Sequence, residues 1–341
     1  MVTRVFAPRE REARLYQELS PKYSFSGYSD TDWEKWQKEF YGELKQLLGW
    51  WPERVPLEAE RIEVTHHQDY TAEKVVFQSE KYATVSAVVL IPRGCTGKVP
   101  AVICLHGHGP GKRIPLGIYE NEQEKELIVA GERDYAIQAV KEGYVSISID
   151  MRAFGEAKNP EDAEEAGRSS CRSATLHSFM LGRTMVGERV WDVMRTIDYL
   201  ETRPEVDPDK IICMGQSGGG TITLFSAALE SRISNAIVSC YFCTFKDSIM
   251  SIYHCEDNYV PGILQLGEMY DIAGLIAPRP LMIVAGQEDP IFPIEGVDYA
   301  YSQLEKIYSA AGVSDRLSRY VGSGGHRFYK EKVWEWVKKW L

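Results

Sequence analysis

Gly215-Gln216-Ser217-Gly218-Gly219 holds a serine between glycines at the spacing G-x-S-x-G. Small residues on both sides let the backbone turn sharply and pack closely, so that the Ser217 hydroxyl can stand clear of the chain. Such a hydroxyl becomes a nucleophile when a base removes its proton, and the base needs an acid to orient it. Both are available downstream. His326 closes a glycine-rich stretch, Gly322-Ser323-Gly324-Gly325-His326. Asp289 follows an apolar run in Gly286-Gln287-Glu288-Asp289-Pro290, with Glu288 beside it as a substitute acid. Serine, acid, histidine is the chain order that accompanies a nucleophile elbow. The chemistry implied is acyl transfer, with His326 as base and Asp289 holding its tautomer. The plainer roles are a helix cap near Pro293 for Asp289 and a surface loop position for His326.

For these groups to meet, each must sit at the end of a strand. Residues 210–214 are an apolar run that reads as a buried strand, and residues 220–229 read as the helix after it. Residues 99–105, 144–150, 233–239, 279–285 and 315–321 read as further strands, with residues 73–78 and 83–91 as the first, antiparallel pair. Val186, Val190, Val193, Ile197 and Leu200 mark a long helix before the serine, and residues 329–341 a final helix. Strands alternating with helices specify an α/β fold with a mostly parallel sheet. Ahead of it, Trp33, Trp36, Phe40, Leu44 and Leu47 recur at helical spacing. Residues 1–70 therefore read as an N-terminal helical extension packed on the body, and residues 71–341 as the catalytic domain. Short insertions at about 112–133 and 241–270 lie where loops of such a sheet cover a site.

Over residues 70–341 the chain resembles the α/β-hydrolases. Within them it looks most like the acetyl xylan esterase-like and dienelactone hydrolase-like branch. The resemblance rests on His106-Gly107-His108-Gly109, Asp150-Met151-Arg152-Ala153-Phe154-Gly155 and the run from Gly182 to Asp192. It rests also on Asp207-Pro208-Asp209-Lys210-Ile211, on the serine turn, and on Ala277-Pro278-Arg279-Pro280 leading to Asp289 and His326. It implies a serine carboxylic-ester hydrolase for small acyl esters, acetyl esters of carbohydrates among them, working without a cofactor. In such enzymes an H-G-x-G-type turn offers a backbone N–H to the oxyanion, here that of His108, and the residue after the nucleophile, here Gly218, offers a second. Dienelactone hydrolases use a cysteine nucleophile, whereas position 217 is serine, which points to ordinary carboxylic esters. Other readings stay open: a serine peptidase of the prolyl-oligopeptidase type, a thioesterase or lactonase, or a non-catalytic ligand receptor on the same fold.

The surroundings of the site are less legible. Arg152 could meet a substrate carboxylate or an acetylated sugar, or pair with a loop acid such as Glu156. Tyr241 and Tyr259, with Phe242 and Tyr253, are expected to narrow the acyl side of the pocket. Cys240, Cys243, His254 and Cys255 could gather a zinc ion, but read better as packed thiols. His106 and His108 are closely spaced, but no further ligand pattern accompanies them, so no metal is expected; His106 reads as a support hydrogen-bonded beneath its turn. With 341 residues, 44% of them hydrophobic, the chain can bury one large core. A net charge of −10 disfavours nucleic acid and anionic membranes as partners. A small-molecule ester is the expected partner, and a homo-oligomer is compatible with this composition. The seven scattered cysteines and a first segment without a signal-peptide core suit a cytoplasmic location.

Overall fold

The computed structural model describes residues 5–27, 30–163 and 169–341. Its centre is a nine-stranded sheet: β1 (Glu60–His66), β2 (Tyr70–Glu80), β3 (Ala83–Pro92), β4 (Val99–Leu105), β5 (Val145–Ile149), β6 (Val206–Gln216), β7 (Ile233–Ser239), β8 (Leu281–Gly286) and β9 (Leu317–Gly322). The strand order is β1-β2-β3-β5-β4-β6-β7-β8-β9. The pairs from β1 to β5 are antiparallel, and those from β5 through β4 to β9 are parallel. This is the expected α/β architecture.

The central strands are apolar on both faces because helices cover both. Along β4, Ala101, Ile103 and Leu105 join one hydrophobic cluster, while Val102 and Cys104 join the other. The same alternation sends Ile211 and Cys213 of β6 to the first layer and Ile212 and Met214 to the second. The helices Met185–Glu201 and Gly218–Leu229 belong to the first layer, and the helix Val333–Lys339 to the second.

The amphipathic stripe ahead of the sheet forms the helix Asp30–Leu47, with Trp33, Phe40 and Leu44 buried. Its Gln37 donates to the carbonyls of Leu275 and Ala277, at 3.1 and 2.5 Å, which fastens it to the body. The segment read as a helical extension is not helical throughout: residues 60–66 are β1, the outermost strand. Every residue of β1 is exposed, so burial leaves no alternation there to read. The region between β5 and the helix Met185–Glu201 holds a helix not anticipated above, Cys171–Met180. Its apolar residues do not form a continuous stripe, so its sequence carries little helical signal. Among the described residues no helix is long and apolar enough to cross a membrane.

Candidate active site

Strand β6 runs straight into the serine. Ser217 sits at φ 59°, ψ −122°, a strained conformation for a residue with a side chain, and the helix Gly218–Leu229 begins immediately after it. Ser217 N–H donates to the Ser239 carbonyl at 2.9 Å, which ties the turn to the end of β7. The glycines answer a packing demand. A Cβ on Gly219 would lie 1.9 Å from the Leu105 carbonyl oxygen, so the turn closes against β4 only because no side chain is present. The helix N-terminus leaves unpaired N–H groups beneath the serine, where they favour negative charge.

The histidine reaches this edge by a folded-back loop. β9 is three strands from β6, too far for an imidazole to span. The loop after β9 crosses over the end of β8, with the Gly325 carbonyl so close that a Cβ on Gly286 would lie 2.2 Å from it. Beyond His326, the Arg327 carbonyl accepts from the Cys240 thiol at 3.1 Å, just past the end of β7. His326 is thereby carried toward the serine. Its Nδ1 donates to Asp289 Oδ2 at 2.8 Å. Asp289 is buried, and its Oδ1 accepts from the N–H groups of Ile291 and Phe292 at 2.9 and 3.2 Å. It stabilises its local turn with one oxygen and holds the histidine with the other. Glu288 beside it is exposed. The Cys240 thiol lies within 4.8 Å of this pair, and burial first, with the Asp289 charge, pushes it up to about 12, so it stays protonated.

Segment 112–133, read as an insertion over the pocket, lines a groove beside His108 and also braces the histidine loop. Arg133 donates to the His326 carbonyl at 2.8 Å, and Phe328 N–H to the Gly131 carbonyl at 3.0 Å.

The turn after β4 faces the serine from the other side. A Cβ on Gly107 would lie 3.2 Å from Ser217 Cβ, and one on Gly218 would lie 3.9 Å from the His108 nitrogen. His106 is fully buried beneath this turn, as expected. Its Nε2 accepts from Met151 N–H at 3.0 Å, so its Nδ1 is the donor, to the Gly107 carbonyl at 2.7 Å. Burial drives its pKa down to about 4, despite the opposing Asp150 charge, and the ring is neutral. His108 behaves oppositely. Burial would lower it, but Asp257, 3.2 Å away, outweighs burial and raises it to about 10.

Three residues assigned to substrate binding from sequence are placed otherwise. Arg152 is held by Glu80, Glu188 and Asp192 at 2.7 to 2.9 Å, while Glu156 pairs with Lys74 and Lys112. Tyr241 is fully buried, its ring 5.4 Å from Phe292 and its Cβ against the elbow helix. Tyr259 lines a separate cavity of about 760 Å³ beside the helix Pro8–Glu18. Sequence reasoning missed Phe292, which stacks on His326 at 5.9 Å, and read His254 only as a zinc candidate, whereas its ring meets Phe292 edge-on at 6.1 Å. No periodic or motif signal marks Phe292. Nor do Cys240, Cys243, His254 and Cys255 converge: Cys243 faces the Pro293 carbonyl, and Cys240 faces the histidine loop. All seven cysteines are unpaired.

Arg152 has a testable structural role. Arg152→Met should lower stability by about 3 kcal/mol, because buried Asp192 would lose its cation and Glu80 and Glu188 would be left with Arg183 alone. Urea unfolding measures this, and KM of the folded variant should not change. A large rise in KM at unchanged stability would return Arg152 to the substrate site.

The sequence profile described as the Abhydrolase family matches residues 9–316. YtaP of Bacillus subtilis (strain 168), assigned as a hydrolase, is 26% identical over 310 residues, which is 88% of this chain and 98% of that one. A Bacteroides fragilis NCTC 9343 structure assigned as an acetyl xylan esterase aligns with a TM-score of 0.79 at 20% identity, over 93% of this chain and 83% of the other. A glucuronoyl esterase from Solibacter usitatus aligns with a TM-score of 0.67 at 15% identity, over 94% and 96%.

Proposed function

The chain belongs to the Abhydrolase family, and from that premise we propose that it is a serine carboxylic-ester hydrolase acting on small acyl esters. The observation that carries the reading is the hydrogen bond from His326 to buried Asp289, on the sheet edge where Ser217 takes a strained positive φ. His326 removes the Ser217 proton as the hydroxyl oxygen attacks the ester carbonyl. The resulting oxyanion is held by the N–H groups of His108 and Gly218. His326 then hands its proton to the departing alcohol, leaving an acyl-enzyme. Water, deprotonated by His326, attacks the acyl carbon, and the acid leaves as Ser217 regains its proton. Asp289 keeps Nδ1 protonated throughout, so Nε2 is the nitrogen that takes up and returns each proton.

A groove of about 1210 Å³ opens beside His108 and Phe154, with Lys112, Arg113, Gln123 and Glu124 among its polar walls. Such a surface suits a hydroxyl-rich alcohol such as a sugar. Structural neighbours named as acetyl xylan esterases and glucuronoyl esterases support esters of carbohydrates as the substrate class. The acyl side is confined by Phe292 and His254 around His326. The p-nitrophenyl esters of increasing chain length, assayed beside acetylated sugars, a lactone, a thioester and an aminoacyl amide, test this. Rates should peak between acetyl and butyryl. A maximum at octanoyl or longer would refute the small-acyl assignment, and preference for the amide would favour a peptidase.

A further inference from the structure

Cys171, Cys255 and Asp257 lie far apart in sequence from His108, yet one donor atom from each converges. These four atoms all lie within 4.8 Å of one another. His108 Nε2 is 3.2 Å from Asp257 Oδ1, and Cys171 Sγ is 3.3 Å from Asp257 Oδ2. A tetrahedral zinc ion, with zinc–sulfur bonds of about 2.3 Å and zinc–nitrogen and zinc–oxygen bonds of about 2.0 Å, sets nitrogen and oxygen about 3.3 Å apart and sulfur and oxygen about 3.5 Å apart. The two contacts run to different oxygens of Asp257, so one of them must give way to a shared ion; what points to a cage is the convergence of the four donor atoms. We propose that His108, Cys171, Cys255 and Asp257 bind a structural zinc ion.

The surroundings fit that ion. Asp257 and Cys171 are buried. Two thiolates and one carboxylate carry three negative charges, which one zinc ion and the fully buried Arg189 cancel. Arg189 donates to Asp257 Oδ2 at 2.7 Å and to Cys171 Sγ at 3.6 Å, the place of a group that orients ligands from behind. Asn258 donates to Asp257 Oδ1 at 2.9 Å and accepts from Thr221 of the elbow helix at 2.7 Å. Binding exchanges the ion for the protons that the thiols and the ring carry. With four protein donors no position remains for water, so the ion's work is to join segments. It would tie the turn after β4 to the N-terminus of the helix Cys171–Met180 and to the segment at 255–257. His108 also carries one of the two N–H groups assigned to the oxyanion, so the ion would set the position of that donor.

Zinc content is independent of esterase activity, which separates this proposal from the catalytic reading. The full chain, grown with zinc and purified under reductant without chelator or metal-affinity resin, should contain about one zinc per chain by mass spectrometry of the elements. Cobalt(II) added to the chelated protein should give tetrahedral ligand-field bands and a thiolate-to-cobalt charge-transfer band. Cys171→Ser and Cys255→Ser should each weaken zinc affinity at least tenfold, whereas Cys243→Ser should not. Chelation should lower the Tm of the parent and leave that of Cys255→Ser unchanged. Should either variant fail to fold, the cobalt spectrum of the parent still decides. Zinc well below stoichiometric after zinc is added back, a cobalt spectrum without charge transfer, or a Cys171–Cys255 disulfide in the reductant-purified protein would each overturn the site.

Discussion

Ser217→Ala should lower ester hydrolysis by about 10⁴-fold or more while leaving the fold intact. The substitution removes one oxygen and nothing else. Position 217 already tolerates a Cβ at φ 59°, so alanine inherits the strain that serine bears and adds none. The N–H of residue 218 is unaffected, so the turn can still bind an ester while lacking the atom that attacks it. The expected result is therefore a fall in kcat with little change in KM. Initial rates on p-nitrophenyl acetate, beside far-ultraviolet circular dichroism and a thermal melt, measure both halves of the claim. Activity within tenfold of the parent would remove Ser217 from the mechanism. A fluorophosphonate probe gives a second readout, since it should label the parent at Ser217 and leave the variant unmodified.

Asp289→Asn should cost about 10⁴-fold in kcat, and Glu288→Gln close to nothing. In the parent, Asp289 Oδ2 accepts from His326 Nδ1, while Oδ1 accepts from Ile291 and Phe292. An asparagine can keep its oxygen on the two backbone donors only by turning its NH₂ toward His326. The imidazole must then present an acceptor at Nδ1 and carry its proton on Nε2. In that tautomer it cannot take the serine proton. Because Glu288 is exposed, its amide changes little. Parallel assays of the two variants decide between the acids: a larger loss for Glu288→Gln would reassign the role.

The strands from β2 to β9 and the three candidate catalytic side chains were legible because each leaves a local mark. A strand buried on both faces writes a continuous apolar run, as at Val99–Leu105, which appears at those bounds. A turn that must pass 1.9 Å from a neighbouring carbonyl, measured from a missing Cβ, writes a glycine, as at Gly219. Surface strand β1 writes nothing, since all its residues face solvent.

Where the sequence reading strayed, the missing information was which distant partner each side chain meets. Arg152 looks free beside a strand end, yet Glu80, Glu188 and Asp192 come to it from two other elements. Tyr241 looks like pocket lining, yet the elbow helix covers it. Cys255 was grouped with its sequence neighbours Cys240 and Cys243, but folding sets it with His108, Cys171 and Asp257. Backbone turns and buried runs depend on interactions among residues adjacent in sequence, so order and spacing alone marked the candidate serine turn and the strands around it and pointed to ester hydrolysis. Charge pairing and ligand convergence depend on chain crossings dozens of residues apart. Only the tertiary structure decided that Arg152 is structural, that residues 112–133 brace the His326 loop, and that four donors from three segments meet at His108.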